Sequence, residues 1–130
     1  MPAKPAPPDF DKTFAALKAV FSKVEKQLTV KTDTPKQYEL VTKKPSPFPQ
    51  HKGHPMWFGM IKTGKAYVSF HLLPLYMNDA MQKLVSPELE KRKQGMACFN
   101  FKTEPTKEHL DELKKLVAAS MESWKEKNYL

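Results

Sequence analysis

The sequence predicts one α+β domain: a single antiparallel sheet with long N- and C-terminal helices packed on one face. Apolar residues recur at three- and four-residue steps near both ends of the chain, which is the period of a helix with one buried face. Between them lie segments of alternating polarity joined by tight, Gly- or Pro-containing turns, the mark of antiparallel strands. At 130 residues the chain fits one domain, and a domain of that size buries roughly two-thirds of the surface exposed by its unfolded chain.

Residues 1–8 form a Pro-rich arm, expected to be disordered, and the domain proper occupies 9–130. Asp9 stands where an N-cap belongs. Phe10, Phe14, Leu17, Phe21, Val24 and Leu28 follow on one helical face, and the β-branched run Thr29 to Pro35 ends that helix. Residues 37–43 read as a strand. Residues 44–55 carry Pro45, Pro47, Pro49 and Pro55 around His51, Gly53 and His54, a long loop of the kind that is usually functional or mobile.

Met56–Ile61 and Lys65–Leu73 form the clearest hairpin, turned at Lys62-Thr63-Gly64. In its second strand Ala66, Val68, Phe70 and Leu72 point to a core, and Tyr67, Ser69, His71 and Leu73 point the other way. Pro74 to Val85 is a short helical stretch. Ser86-Pro87-Glu88 is a strong helix start, with a hydroxyl at N-cap and proline at N1, and Gly95 supplies a stop. Met96–Lys102 alternates as a strand. Thr103 to Thr106 opens a last helix with Leu110, Leu113, Val117, Met121 and Trp124 on its apolar face.

The charge bounds the partners. The formal net charge is +8, which favours anionic ligands or acidic proteins. Lys and Arg total 22, yet Arg92 is the one arginine. Lysine is a mobile point charge, whereas arginine supplies the planar fork that reads a guanine edge, so sequence-specific nucleic-acid binding is disfavoured. No apolar run reaches the length of a membrane span, and the N-terminus carries no apolar leader. With Cys98 as its single cysteine, the chain is expected to work in a reducing cytoplasm. With 4 glycines and no Gly-rich phosphate loop, no cofactor is expected.

Several residues are candidates for chemistry. Arg92 suggests bidentate work, on an anionic ligand or on an internal carboxylate, with Glu88 at i,i+4 the local partner. Tyr67 and His71 offer polar contacts on a pocket wall. Ser69 and His71 suggest a hydrolase-type enzyme, although residues two apart on a strand have Cβ atoms roughly 6–7 Å apart, which strains a direct bond. Glu104, Glu108, Asp111 and Glu112 are the clustered carboxylates, a possible weak site for iron or magnesium. His51, His54, His71, His109 and Cys98 lack the dense spacing of a zinc site, and Cys98 reads as a buried, inert thiol.

Three runs carry a family resemblance: Tyr67-Val-Ser-Phe-His-Leu-Leu-Pro-Leu-Tyr76, Leu84-Val-Ser-Pro-Glu-Leu89 and Gln94-Gly-Met-Ala-Cys-Phe-Asn-Phe101. Over residues 36–125 the chain resembles the YdhG-like domain family of unknown function. The resemblance implies a bacterial, cytosolic α+β protein with an antiparallel sheet. It also implies a possible frataxin-like iron-handling role, known for one relative and dependent there on an acidic helix surface. This chain is basic, so no metal ligands carry over. The expectation is a non-enzymatic binding module with a pocket between the sheet and the 44–55 loop. It would take a small anionic ligand or a protein segment through Tyr67, His71 and Arg92. An iron carrier and a Ser69/His71 hydrolase are the alternatives, and the oligomeric state is open.

Overall fold

A computed structural model describes residues 10–95 and 97–130; the arm over 1–8 and the N-cap assignment at Asp9 lie outside the described residues. Six strands form one antiparallel sheet in the order β1-β2-β3-β4-β6-β5. They are β1 (Thr29–Thr34), β2 (Gln37–Pro45), β3 (Pro55–Thr63), β4 (Val68–Leu72), β5 (Lys93–Gln94) and β6 (Cys98–Phe101). Helices α1 (Phe10–Val20) and α5 (Lys107–Glu126) pack on one another, and α1 crosses β3 and β4. Three short helices, α2 (Leu73–Met77), α3 (Asp79–Gln82) and α4 (Pro87–Glu90), lie between β4 and β5. The α+β class and the helix-covered face agree with the sequence reading.

The first helix is shorter than its apolar spacing implies. After Val20 the hydrogen bonds tighten from i−4 to i−3, and Glu25–Gln27 forms a 3₁₀ turn. Phe21, Val24 and Leu28 remain buried, because three-residue steps keep an apolar row inward in either winding. Two tertiary contacts hold the tightened segment. The Phe21 ring stacks on Phe70 at 5.0 Å, and the Tyr38 hydroxyl donates to the Glu25 carboxylate. Burial, and then Glu25, keeps the Tyr38 phenol protonated far above the usual range for tyrosine.

The β-branched run that ends the helix is itself a strand. β1 pairs with β2 through a two-residue turn at Pro35-Lys36, with Thr34 opposite Gln37. Lys18 pairs with Asp33 at 2.7 Å and ties α1 to this edge. β5 is also unexpected. The helix begun at Ser86 stops at Glu90, and Gly95 (φ 72°) sits in the turn of the β5–β6 hairpin rather than at a helix end. The stretch 74–85 divides at Asn78, whose side chain caps α3 by accepting from the Ala80 amide. α5 begins at Lys107, so Glu104 lies ahead of the helix and not on its face. A capping box holds that start: Thr106 Oγ1 accepts from the His109 amide, and His109 Nδ1 accepts from the Thr106 amide, each at 3.2 Å.

A bulge in β3 fixes which side chains face the core. Leu40 lies opposite Gly59 and Val41 opposite Trp57, so Phe58 is the extra residue. Phe58, Gly59 and Ile61 are therefore all buried, against Phe21, Tyr38, Phe70 and Trp124. Gly59 is required by closeness. A Cβ there would stand 2.5 Å from Phe21 Cζ, and the Phe21 ring is boxed in by its aromatic neighbours.

Gly59→Ala is expected to lower stability by about 1–3 kcal/mol through overpacking. Urea unfolding measures this, and Phe21→Leu in the Gly59→Ala background should recover part of the loss by removing the obstructing ring. Thr106→Ala should cost about 1 kcal/mol through loss of the α5 cap.

Candidate functional site

The principal concavity opens at the end of the sheet where β1, β2 and β3 meet the segment 46–54. It has a volume of about 620 Å³. Its apolar wall consists of Val41, Met56, Trp57, Leu73 and Trp124, and Lys31, Gln50, His51 and His54 supply polar groups. Among the described residues no carboxylate lines it, so Lys31 leaves the groove positive. A well-formed, mainly apolar pocket with a few converging polar groups is the usual form of a small-molecule site.

The 46–54 segment is ordered by its own contacts. The Ser46 amide donates to the His54 carbonyl at 3.0 Å, and Ser46 Oγ lies 2.6 Å from His51 Nδ1. Pro49–His51 forms a 3₁₀ turn that ends at Lys52 (φ 52°) and Gly53 (φ 81°), two left-handed residues that reverse the chain. Phe48 packs edge-on against His51 at 5.6 Å and against Tyr129 at 5.8 Å. Below it, Thr42 Oγ1 accepts from the Met56 amide at 3.1 Å, which joins β2 to β3 at the groove floor.

Trp57 stands out in this wall. It is 45% exposed, beside Lys31, whose Nζ lies 4.6 Å from the ring centroid. The other tryptophan, Trp124, is 1% exposed and packs on Phe58 and Tyr129. Sequence reasoning treats both as core or interface, because a single tryptophan in a strand carries no mark of exposure. The Pro-rich loop next to Trp57 is the signal that does point here.

The groove lies where the sequence places a pocket, yet Tyr67, His71 and Arg92 do not line it. Tyr67 is in the β3–β4 turn, where its carbonyl accepts from the Gly64 amide. Arg92 holds the Glu88 backbone carbonyl through Nη1 at 2.9 Å and lies 3.6 Å from the Glu88 carboxylate, the internal pairing that its spacing suggests. Lys91, then Arg92, lowers the Glu88 carboxyl. Arg92 also lies over the Phe101 ring, in a polar recess with Lys91, Lys93 and Lys102.

His71 sits on the sheet face away from the helices. One row of directly opposite residues crosses all six strands there: Thr32, Glu39, Met60, His71, Cys98 and Gln94. His71 Nε2 lies 3.1 Å from Ser69 Oγ, so the contact that Cβ spacing makes strained does form. Cys98 Sγ lies 3.7 Å from the same nitrogen. Cys98 is half-buried rather than enclosed. Burial pushes its thiol up, and burial followed by the Lys62 charge pushes the His71 imidazole down. Both groups are therefore neutral near pH 7. A Cys–His ion pair of the kind that activates a thiolate is not what this environment favours.

Among the described residues, no group of three or more His, Cys, Asp or Glu side chains gathers closely enough to hold a metal ion. Glu104, Glu108, Asp111 and Glu112 do not converge, since α5 starts after Glu104 and Glu112 instead borders a small notch with Leu84 and Lys115. His109 is occupied by its capping bond.

The lowered His71 value has a consequence for stability. The unfolded chain binds this proton more readily, so the contribution of neutral His71 is present above the ordinary imidazole value of 6.5 and is lost as pH falls below it. Urea midpoints measured from neutral to mildly acidic pH should fall more in the parent protein than in His71→Gln. Proton NMR should place the His71 titration below 6.5.

No helix among the described residues is long and apolar enough to cross a membrane. The chain matches no protein-family model, no curated protein and no solved structure.

Proposed function

We propose that the chain is a non-enzymatic binding module that takes a small amphipathic anion in the groove between the sheet end and the 46–54 segment. The observation that carries this reading is a half-exposed tryptophan, Trp57, beside a lysine in an acid-free, largely apolar groove of about 620 Å³. An exposed indole in a concave apolar wall offers a stacking surface at low entropic cost. Lys31 is placed to meet a carboxylate, sulfonate or phosphate while the ligand body lies on Trp57 and Met56. The net charge of +8 favours approach of such a ligand.

Iron carriage finds less support, because the acidic residues of the last helix do not gather. A hydrolase at Ser69 and His71 has a base near a hydroxyl, but the row neighbours of His71, Met60 and Cys98, are not acidic groups that could orient it.

Anilinonaphthalene sulfonate, an aromatic anion, is the probe for this groove. Titration should show saturable one-to-one binding with quenching of tryptophan emission. Trp57→Ala and Lys31→Ala should each weaken binding about tenfold, which corresponds to about 1.4 kcal/mol. Affinity unchanged in both variants removes the groove as the site. Equal binding of uncharged naphthylamine removes the anionic requirement.

A further inference from the structure

The row on the open sheet face sets three donors side by side, all of them soft or borderline. His71 on β4 has Met60 directly opposite on β3 and Cys98 directly opposite on β6. Directly opposite residues hold their Cβ atoms about 4.5–5.5 Å apart, so a thioether and a thiol flank one imidazole. The distance from Cys98 Sγ to His71 Nε2 is 3.7 Å. Metal bonds of about 2.0 Å to nitrogen and about 2.3 Å to sulfur would span that gap with an angle of about 120° at the ion. That angle is trigonal and leaves one position for a further donor.

We propose that Met60, His71 and Cys98 form a three-coordinate site for Cu(I). Thiolate and thioether donors select soft ions, and imidazole suits copper. Hard cations are disfavoured because no oxygen donor is available in the triplet. Glu39, the next residue in the row, already accepts from Thr32 and Gln37 at 2.8 Å each. On binding, the Cys98 thiol gives its proton to solvent and the sulfur lone pair forms the bond to Cu(I). His71 moves its proton from Nε2 to Nδ1, gives up the hydrogen bond from Nε2 to Ser69 Oγ and contributes the Nε2 lone pair, and no electron is transferred. The thiolate and the monovalent ion cancel in charge, which suits a half-buried position. The Cys98 thiol donates to Asn100 Oδ1 at 3.4 Å and gives up that bond on deprotonation, while Asn100 stays tied through Nδ2 to Gln94 Oε1 at 2.8 Å. The site is separate from the groove and does not depend on the reading of it.

The test is an anaerobic competition of the reduced full chain against Cu(I) held by bicinchoninate. The parent protein should withdraw one equivalent. Cys98→Ser and His71→Gln should weaken binding at least about a hundredfold, beyond what losing an outer-layer partner costs. Met60→Leu, which conserves volume and so leaves the fold intact, should weaken it about tenfold. Circular dichroism confirms that each variant is folded. Failure of the parent to withdraw copper overturns the proposal. So does loss in Cys98→Ser alone with His71→Gln and Met60→Leu unchanged, since that marks adventitious capture by one thiol. Equal affinity for Zn(II), insensitive to Met60→Leu, overturns the assignment of the metal.

Discussion

The ring of Phe21 lies flat on Phe70 and against the bare backbone of Gly59 at the centre of the sheet. That contact requires Gly59 to face the helices, directly after Phe58, which faces them too. Consecutive residues on one side of a strand are possible only through a bulge, and the β2–β3 register shows it between Trp57 and Gly59. The outward set changes in step. Before the bulge Trp57 points away from the core, and after it Met60 and Lys62 do. The stacking wall of the groove and the β3 member of the transverse row therefore both follow from one ring seated on one glycine. Without the extra residue, every side chain on one half of β3 would change face.

The two sites differ in kind because the sheet is covered on one side only. At its end, where the 46–54 segment folds over β1–β3, apolar surface is partly enclosed and Lys31 brings a positive charge to the wall. On the open face polar side chains satisfy one another in short chains, Lys62 carbonyl to Ser69 to His71 and Cys98 to Asn100 to Gln94. Such chains keep a half-buried polar surface from leaving donors or acceptors unpaired. Among the described residues, Thr63 Oγ1 is the buried side-chain atom that lacks a partner.

The sheet, the helix-covered face and α5 were legible because they rest on periodicity and caps, and Ser86 and Thr106 do cap the helices that follow them. The ends of elements were less legible. Phe21, Val24 and Leu28 keep their inward spacing whether the chain winds as α-helix or as tighter turns, so the period cannot report the change at Val20. β1 was hidden because it is an exposed edge strand, mostly polar, and edge strands lack an apolar face to announce them. Gly95 suits a helix stop and a hairpin turn equally, because both use a left-handed glycine. The pocket between the sheet and the Pro-rich loop could be located from loop length, but its lining could not. Which residues reach it depends on the β3 bulge and on the return of Trp124 from a distant helix. The row Met60–His71–Cys98 depends on the register of three strands, which alternation within each strand leaves free.

The last residues of the chain are fastened to the groove. Past α5 the Tyr129 amide returns to the Trp124 carbonyl at 2.8 Å, and the Tyr129 ring lies between Trp124 and Phe48. Lys44, at the loop entrance, donates to Asn128 at 3.3 Å. Loop and tail are thus joined through Tyr129. A ligand in the proposed groove would favour the joined form, and by linkage a change that loosens residues 128–130 would lower its affinity although those residues do not line the groove.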